Sequence, residues 1–411
     1  MSIVLIIFLV VYLGMILGHL PWLRVDRASI ALGGAIALLA TSLLTEAQAI
    51  ASVDFGTIGM LFGLMLISIQ LEMAGVYGYL SAFITRIRTE PPILLALLIV
   101  LVGTLSAFLT NDVVAVAVTP VVLSICLHRG MNPVPFLLAI AFAANAGAVA
   151  TIIGSPQNIL IAERLDLSFV GYLGYAAIPA VLSLGVIWLV LIAVYRERWQ
   201  LATPGGAPPQ APLEPAASAP PLDHWEAFKG FLILCLVLYA FIFTDWTRGL
   251  VAASAGAVML FNARFASRSM LERVDWDLLI LFVGLFIVNG AMQDTGMPQR
   301  LVDDLSSAGF NLQDSDVLFV VSAILSDITS NVPTVMLLLP YASEPEAGPL
   351  MALASGLFSN LIVIGSLANI IVVDAVNRHG LKITFWEFAK AGVPVALISL
   401  LIAWVWVRFL M

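Results

Sequence analysis

Long apolar runs fill this chain, and in several of them a short polar break falls inside the run instead of at its end. The runs near 2–18, 28–46, 54–75, 169–195, 228–244, 247–263, 275–295 and 385–409 each read as one spanning helix, because a helix needs about 20 apolar residues to cross the hydrocarbon core. Two more, near 135–163 and 349–377, read as spans broken in the middle. A third kind is represented by 92–127, interrupted at Leu109-Thr110-Asn111-Asp112, and by 316–340, interrupted at Ser330-Asn331-Val332-Pro333. Each arm of 316–340 has about 12 residues, too few for a full crossing at ~1.5 Å per residue. Both stretches are therefore expected to be re-entrant hairpins. The pattern predicts an all-α integral membrane protein; it lacks the alternating segments of about 10 residues that mark a membrane β-barrel.

The pattern also repeats. Val53-Asp54-Phe55 through Gly75 reads against Val274-Asp275-Trp276 through Gly296, with Gly63 against Gly284. Ser106, Thr110-Asn111 and Pro120 read against Ser326, Ser330-Asn331 and Pro340. Gly154-Ser155-Pro156-Gln157-Asn158 reads against Gly365-Ser366-Leu367-Ala368-Asn369. The expected organisation is a first membrane copy over 1–199, a Pro/Ala-rich linker over 200–224 and a second copy over 225–411. Each copy carries five spans, one hairpin and one broken helix. An odd number of crossings turns the second copy upside down relative to the first, the geometry of alternating access in secondary transporters.

Charge fixes an expected orientation. With the N- and C-termini outside, cytoplasmic loops hold Arg24, Arg27, Arg86, Arg88, Arg129, Arg196, Arg198, Lys229, Arg264, Arg268, Arg273, Arg378 and Lys382. The outside holds Arg164, Arg248, Arg300 and Arg408. That bias follows the positive-inside rule and places the linker in the cytoplasm and the chain in a bacterial-type inner membrane. Composition agrees: 61% of residues are hydrophobic and 11% charged, against about 25% charged in soluble domains. The two cysteines, Cys126 and Cys235, read as small apolar fillers. The histidines (His19, His128, His224, His379) have no paired spacing, so neither a metal site nor a cofactor is expected. No basic tract invites nucleic acid, no P-loop supplies ATP, and neither H-E-x-x-H nor G-x-S-x-G is present, so no enzyme is expected.

The chemistry is expected at the breaks. A chain that turns back inside a membrane frees backbone groups, which are tolerated only against protein or a water-filled cavity. Asn, Ser and Thr satisfy such turns. Half-helix N-termini favour an anion, and half-helix C-termini and carbonyls favour Na⁺. The candidate substrate- and ion-binding residues are Thr110, Asn111, Asp112, Gly154, Ser155, Asn158, Asp327, Ser330, Asn331, Thr334, Gly365, Ser366 and Asn369. Na⁺ would sit near Asn111 and Asn158, and near Asn331 and Asn369; Asp112 or Asp327 would carry a coupling H⁺ or Na⁺, since acids at membrane depth are costly. Residues that merely cap broken helices would carry the same signature. Asp54 and Asp275 read as helix caps. No Lys or Arg is expected in the site, which leaves an anion, a neutral polyhydroxy compound and a bare cation all open.

At these residues the chain resembles the ion transporter superfamily, which includes citrate transporter-like permeases, divalent-anion symporters, arsenite permeases and a sodium/proton antiporter branch. Phe108-Leu109-Thr110-Asn111-Asp112 followed by Val118-Thr119-Pro120 is similar to the arsenite-permease form of the first hairpin. Ile364-Gly365-Ser366-Leu367-Ala368, with Gly380, Ile383 and Trp386, resembles that branch's C-terminal segment. The dicarboxylate branch has Ser-Asn-Thr at both tips; here the tips read Thr-Asn-Asp and Ser-Asn-Val. The resemblance implies an elevator mechanism and a homodimer in the lipid bilayer. The expected function is secondary transport of a small anion or oxyanion coupled to H⁺ or Na⁺, with arsenite or antimonite efflux by proton exchange, or Na⁺/H⁺ antiport, as alternatives.

Overall fold

The computed structural model describes residues 3–17, 25–87, 89–200, 221–307, 310–378 and 382–411. Most of the expected linker (201–220) lies outside the described residues, as do Arg24, Arg88, His19, His379 and Gly380. Regular structure among the described residues is helical, apart from one isolated antiparallel bridge between Met131 and Gln200. The first ten helices are α1 (Ile3–Leu17), α2 (Arg27–Ala40), α3 (Glu46–Ser52), α4 (Phe55–Met73), α5 (Val76–Arg86), α6 (Pro91–Phe108), α7 (Asn111–His128), α8 (Val134–Ala148), α9 (Pro156–Arg164) and α10 (Phe169–Tyr195). The next ten are α11 (His224–Phe243), α12 (Arg248–Leu260), α13 (Ser267–Leu271), α14 (Trp276–Asp294), α15 (Met297–Ser307), α16 (Ser315–Thr329), α17 (Asn331–Leu338), α18 (Ala347–Phe358), α19 (Leu367–Arg378) and α20 (Phe385–Val405).

Seven of these, α4, α6, α7, α10, α11, α14 and α20 with its short extension to Leu410, are long and apolar enough to cross a membrane. The two breaks inside apolar runs are real interruptions: α8 gives way to α9, and α18 to α19. The expected caps also form. The Asp54 carboxylate accepts the Thr57 amide at 3.0 Å and the Asp275 carboxylate the Leu278 amide at 2.9 Å. Each satisfies one orphan donor of its helix start.

The two hairpins differ in length. α16 has 15 residues and α17 has 8, followed by a 3₁₀ turn over Leu339–Tyr341. α6 and α7 have 18 residues each, so by length alone either could cross about 27 Å of bilayer. What the two hairpins share is where their tips arrive.

Packing divides the helices into two groups. α1, α2, α4, α11, α12 and α14 pack on one another. α6, α7, α8, α10, α16, α18, α19 and α20 form the other group, with α9 and α17 between. All 15 residues of α8 are buried, so it is the axis of the second group. In the first group the pairing is crossed: α4 packs along α12, and α14 along α2. Gly63 makes the first approach possible and Gly284 the second. A Cβ on Gly63 would fall against the Ala252 carbonyl and 2.7 Å from the Ala253 nitrogen; one on Gly284 would lie 2.6 Å from the Ala31 carbonyl carbon. The sequence register that matches Gly63 with Gly284 also matches Ala252 with Ala31, so one contact is made twice.

Candidate functional site

Both hairpin tips and the break before α19 open on one cavity of about 580 Å³. The starts of six helices line it: Arg27 and Ala28 of α2, Asn111 and Asp112 of α7, Pro156 and Gln157 of α9, Asp277 and Leu278 of α14, Asn331 to Pro333 of α17, and Leu367 of α19, with Ser330 and Ser366 just before the last two. Each helix start leaves amide groups without intrahelical partners and carries the positive end of the peptide dipoles.

Of the expected site residues, Asn111, Asp112, Ser330, Asn331, Gly365 and Ser366 line this cavity. Ser330 holds φ 81° and ψ 158°, a region rarely entered by any residue but glycine. Such backbone costs on the order of 1–3 kcal/mol and persists only where its surroundings enforce it. The other seven stand behind the wall. Thr334, one turn into α17, shares a 2.7 Å hydrogen bond with Thr329 and closes the tip from behind. Thr110 and Ser155 border a water-sized void. The Gly154 carbonyl accepts the Asn111 amide at 3.4 Å. Both oxygens of the Asp327 carboxylate are buried without a partner, and the carboxylate lies against the Gly365 backbone, which only glycine leaves open.

Asn158 and Asn369, expected to line the site, instead clasp the breaks. Nδ2 of Asn158 donates to the carbonyls of Ala148 (3.0 Å) and Thr151 (2.9 Å). Nδ2 of Asn369 donates to those of Ser359 (2.7 Å) and Ile362 (3.1 Å), the same two positions in the second register. Carbonyls freed by each interruption thus find a donor that water would otherwise have to supply.

Two amides absent from the sequence expectation join the halves. Oδ1 of Asn145 on α8 accepts from Asn111 (3.3 Å) and from Ser366 (2.8 Å). Its Nδ2 donates to Oδ1 of Asn360 (2.9 Å) and of Asn369 (3.2 Å). A lone amide in the apolar run 135–148 was the available signal. Asn331, for its part, accepts from Ser359 at 3.1 Å.

The electrostatics need one correction. Arg27 lines the cavity, with its Nε buried and without a hydrogen-bond partner. It begins α2, where a charge reads from sequence as part of a loop. Asp26, Asp275 and Asp277 also reach the wall. The Ser29 amide holds the Asp26 carboxyl below the usual carboxylate range.

A second cavity, about 450 Å³, lies at the far ends of α14 and α17 and is bordered by Asn289, Gln293, Arg164 and Met336. None of the tip residues borders it. Between the two cavities the Tyr12 hydroxyl donates to Asn289 Oδ1 (2.9 Å) and lies 3.3 Å from the Pro333 carbonyl.

A sequence model of the citrate transporter family matches residues 3–353. An uncharacterized transporter of Mycobacterium tuberculosis, Rv2684, is 31% identical over 420 residues, covering 94% of each chain. The inner membrane protein YbiR of Escherichia coli is 32% identical, covering 86% of this chain and 88% of that one. The silicon efflux transporter LSI3 of Oryza sativa is 26% identical, covering 92% and 91%. Among solved structures, the YdaH transporter of Alcanivorax borkumensis matches 99% of this chain and 98% of its own, with a TM-score of 0.59 and 14% identity.

Proposed function

The chain belongs to the citrate transporter family, a family of membrane transporters and not of enzymes, and on that premise we propose that it is a secondary active transporter of a small anion or oxyanion, coupled to H⁺ or Na⁺. The observation that carries the reading is the convergence on the first cavity of the four helix N-termini that follow the polar breaks, those of α7, α9, α17 and α19. Amides and dipole ends that face one water-accessible space stabilise negative charge without a bound counter-charge. Arg27 adds a cation at the wall.

The coupling ion belongs near the first tip. The Asn111 and Asn158 side-chain oxygens and the Ser106 and Ser155 hydroxyls are all buried without partners. This is an all-oxygen set, the kind a hard cation takes. Asn331 and Asn369 have already spent their oxygens, on Ser359 and Asn145, so the second position is the poorer one for Na⁺. Asp112, with one buried and unpartnered oxygen, is the group placed to take a proton. The proposal includes the inverted repeat of 1–199 and 225–411, elevator movement of the hairpin-bearing group, a homodimer, the inner (plasma) membrane and the outside placement of both termini.

A second reading is efflux of a neutral oxyacid in exchange for protons. The four acids on the cavity wall, Asp26, Asp112, Asp275 and Asp277, favour it over a multiply charged anion, and the silicon efflux relative is in line with it. One screen separates the two. Purified protein in liposomes is offered citrate, succinate, sulfate, phosphate, silicate and arsenite, with and without Na⁺, at two pH values. Saturable uptake of a charged anion supports the first reading; movement of silicate or arsenite alone supports the second; flux of none of them refutes both.

A further inference from the structure

Two arginines occupy one position of the repeat and do different things. Arg27 is the first residue of α2 and Arg248 the first of α12. The register that matches Gly63 with Gly284, and Ala252 with Ala31, matches these two as well. A cation in the first turn of a helix stands at the wrong end of its own dipole. Arg248 stands at the right end of another. Its Nε lies 3.1 Å from Glu163, and its Nη2 lies 3.2 Å from Asp166 and donates to the Ala162 carbonyl at 3.3 Å; its Nη1 donates to the Leu167 carbonyl. One guanidinium thus neutralises acids and satisfies carbonyls where α9 ends, work that needs a planar fork of donors. Arg164 of α9 reaches back to Asp54 at 3.1 Å. The end of the molecule that carries the second cavity is therefore fastened across the boundary between the helix groups.

At the other end Arg27 faces the first cavity, its Nε buried and without a partner. In the register that matches Asn158 with Asn369, the counterpart of Glu163 is Asp374, near the C-terminal end of α19.

We propose that Arg248 and Arg27 are an alternating pair of latches. In the state seen here Arg248 holds the end of α9 beside the second cavity, and Arg27 at the first cavity is disengaged. In the opposite state Arg248 releases α9, and Arg27 engages the end of α19 at Asp374, closing the first cavity. One arginine engaged and one disengaged is what two inverted copies of a single device must show in any end-open state. The inference rests on the inverted-repeat transporter reading, and its test needs no substrate.

The reporter is a single cysteine in the full-length purified protein, with Cys126 and Cys235 replaced by serine. Leu278→Cys places it in the first cavity, and Gln293→Cys, in a separate chain, in the second. The rate of reaction with a water-soluble maleimide reports how often each end is open. Arg248→Gln is expected to speed labelling at position 293 and slow it at 278, each about threefold or more, because it removes contacts made in one state only. Adding Arg27→Gln is expected to bring both rates back toward those of the parent. Should Arg248→Gln fail to give a monodisperse protein, Glu163→Gln, which removes the acid of the latch and keeps Arg248, decides, with the same opposed shifts expected. Rates that do not move, or that move in the same direction at both reporters, overturn the latch. Failure of Arg27→Gln to reverse the shift overturns the pairing. Opposed shifts together with no flux in the liposome screen would remove the substrate reading and leave the latch standing.

Discussion

Replacing Gly63 by alanine sets a methyl group against the backbone of α12. The new Cβ would stand 2.7 Å from the Ala253 nitrogen, where ordinary contact begins at 3.4 Å, and closer still to the Ala252 carbonyl. Neither atom can move aside without its helix. α4 and α12 must part by at least about 0.7 Å, a gap that on its own forfeits a quarter to a half of the dispersion attraction between facing atoms. Overpacking of this kind typically costs about 1–3 kcal/mol, and contact with backbone puts Gly63→Ala at about 3 kcal/mol or more. Gly284→Ala meets Ala31 at 2.6 Å and Leu32 at 2.8 Å, the milder clash, so about 1–3 kcal/mol is expected. Gly33→Ala and Gly185→Ala supply the control, since no atom lies within 4 Å of either new methyl; they should be neutral or stabilising by up to about 1 kcal/mol. The assay is the fraction of detergent-solubilised protein that stays monodisperse after heating. The order expected is control, Gly284→Ala, Gly63→Ala. A Gly63→Ala protein as heat-resistant as its parent would refute the crossed packing.

The clasps give a matched pair. Asn158→Ala and Asn369→Ala each strip donors from two carbonyls, and each should cost about 2–4 kcal/mol, read in the same heating assay; Asn158→Asp, which keeps shape but cannot donate, should do no better. Ser330→Gly should raise stability by about 1 kcal/mol by releasing its backbone, whereas Ser330→Val should fail to accumulate in membranes. Asp26 has a lowered carboxyl pKa, so its charge stabilises the fold above the ordinary carboxylate range and is lost only as pH falls below it. Asp26→Asn should therefore leave the pH profile of transport between about 5 and 8 unaltered, while Asp112→Asn should flatten it; a flat profile from the first variant would reverse these roles.

The breaks were legible because an amide, a glycine or an acid inside an apolar run has no cheap explanation in lipid. Thr110 to Asp112, Ser330 and Asn331, and the two Gly-Ser turns fall where the sequence places them. The division of labour among them was not legible. Asn158 and Asn369 carry the same signature whether they face a cavity or turn away from it to hold carbonyls. The role of Asn145 depends on what lies across from α8, which spacing along one strand of sequence does not encode. Arg27 stands at the end of an apolar run, where a basic residue normally marks a loop, and only the packing of α2 on α14 brings it to the cavity wall. The hairpin lengths misled in one respect: a stretch too short to cross was found in the second copy, but the first copy's arms are longer and reach the same place.

The crossed pairing of α4 with α12, and of α14 with α2, has a consequence for how the chain is made. The glycine face of α4 leaves the ribosome about 190 residues before the surface that fills it, a wait of roughly 10–40 s at ordinary rates of synthesis. During that interval the early helices sit in the bilayer with a groove that only lipid or an insertion chaperone can occupy. Neither half should persist alone. Two fragments cut within 201–220 and produced together should recover an assembled protein that neither yields separately.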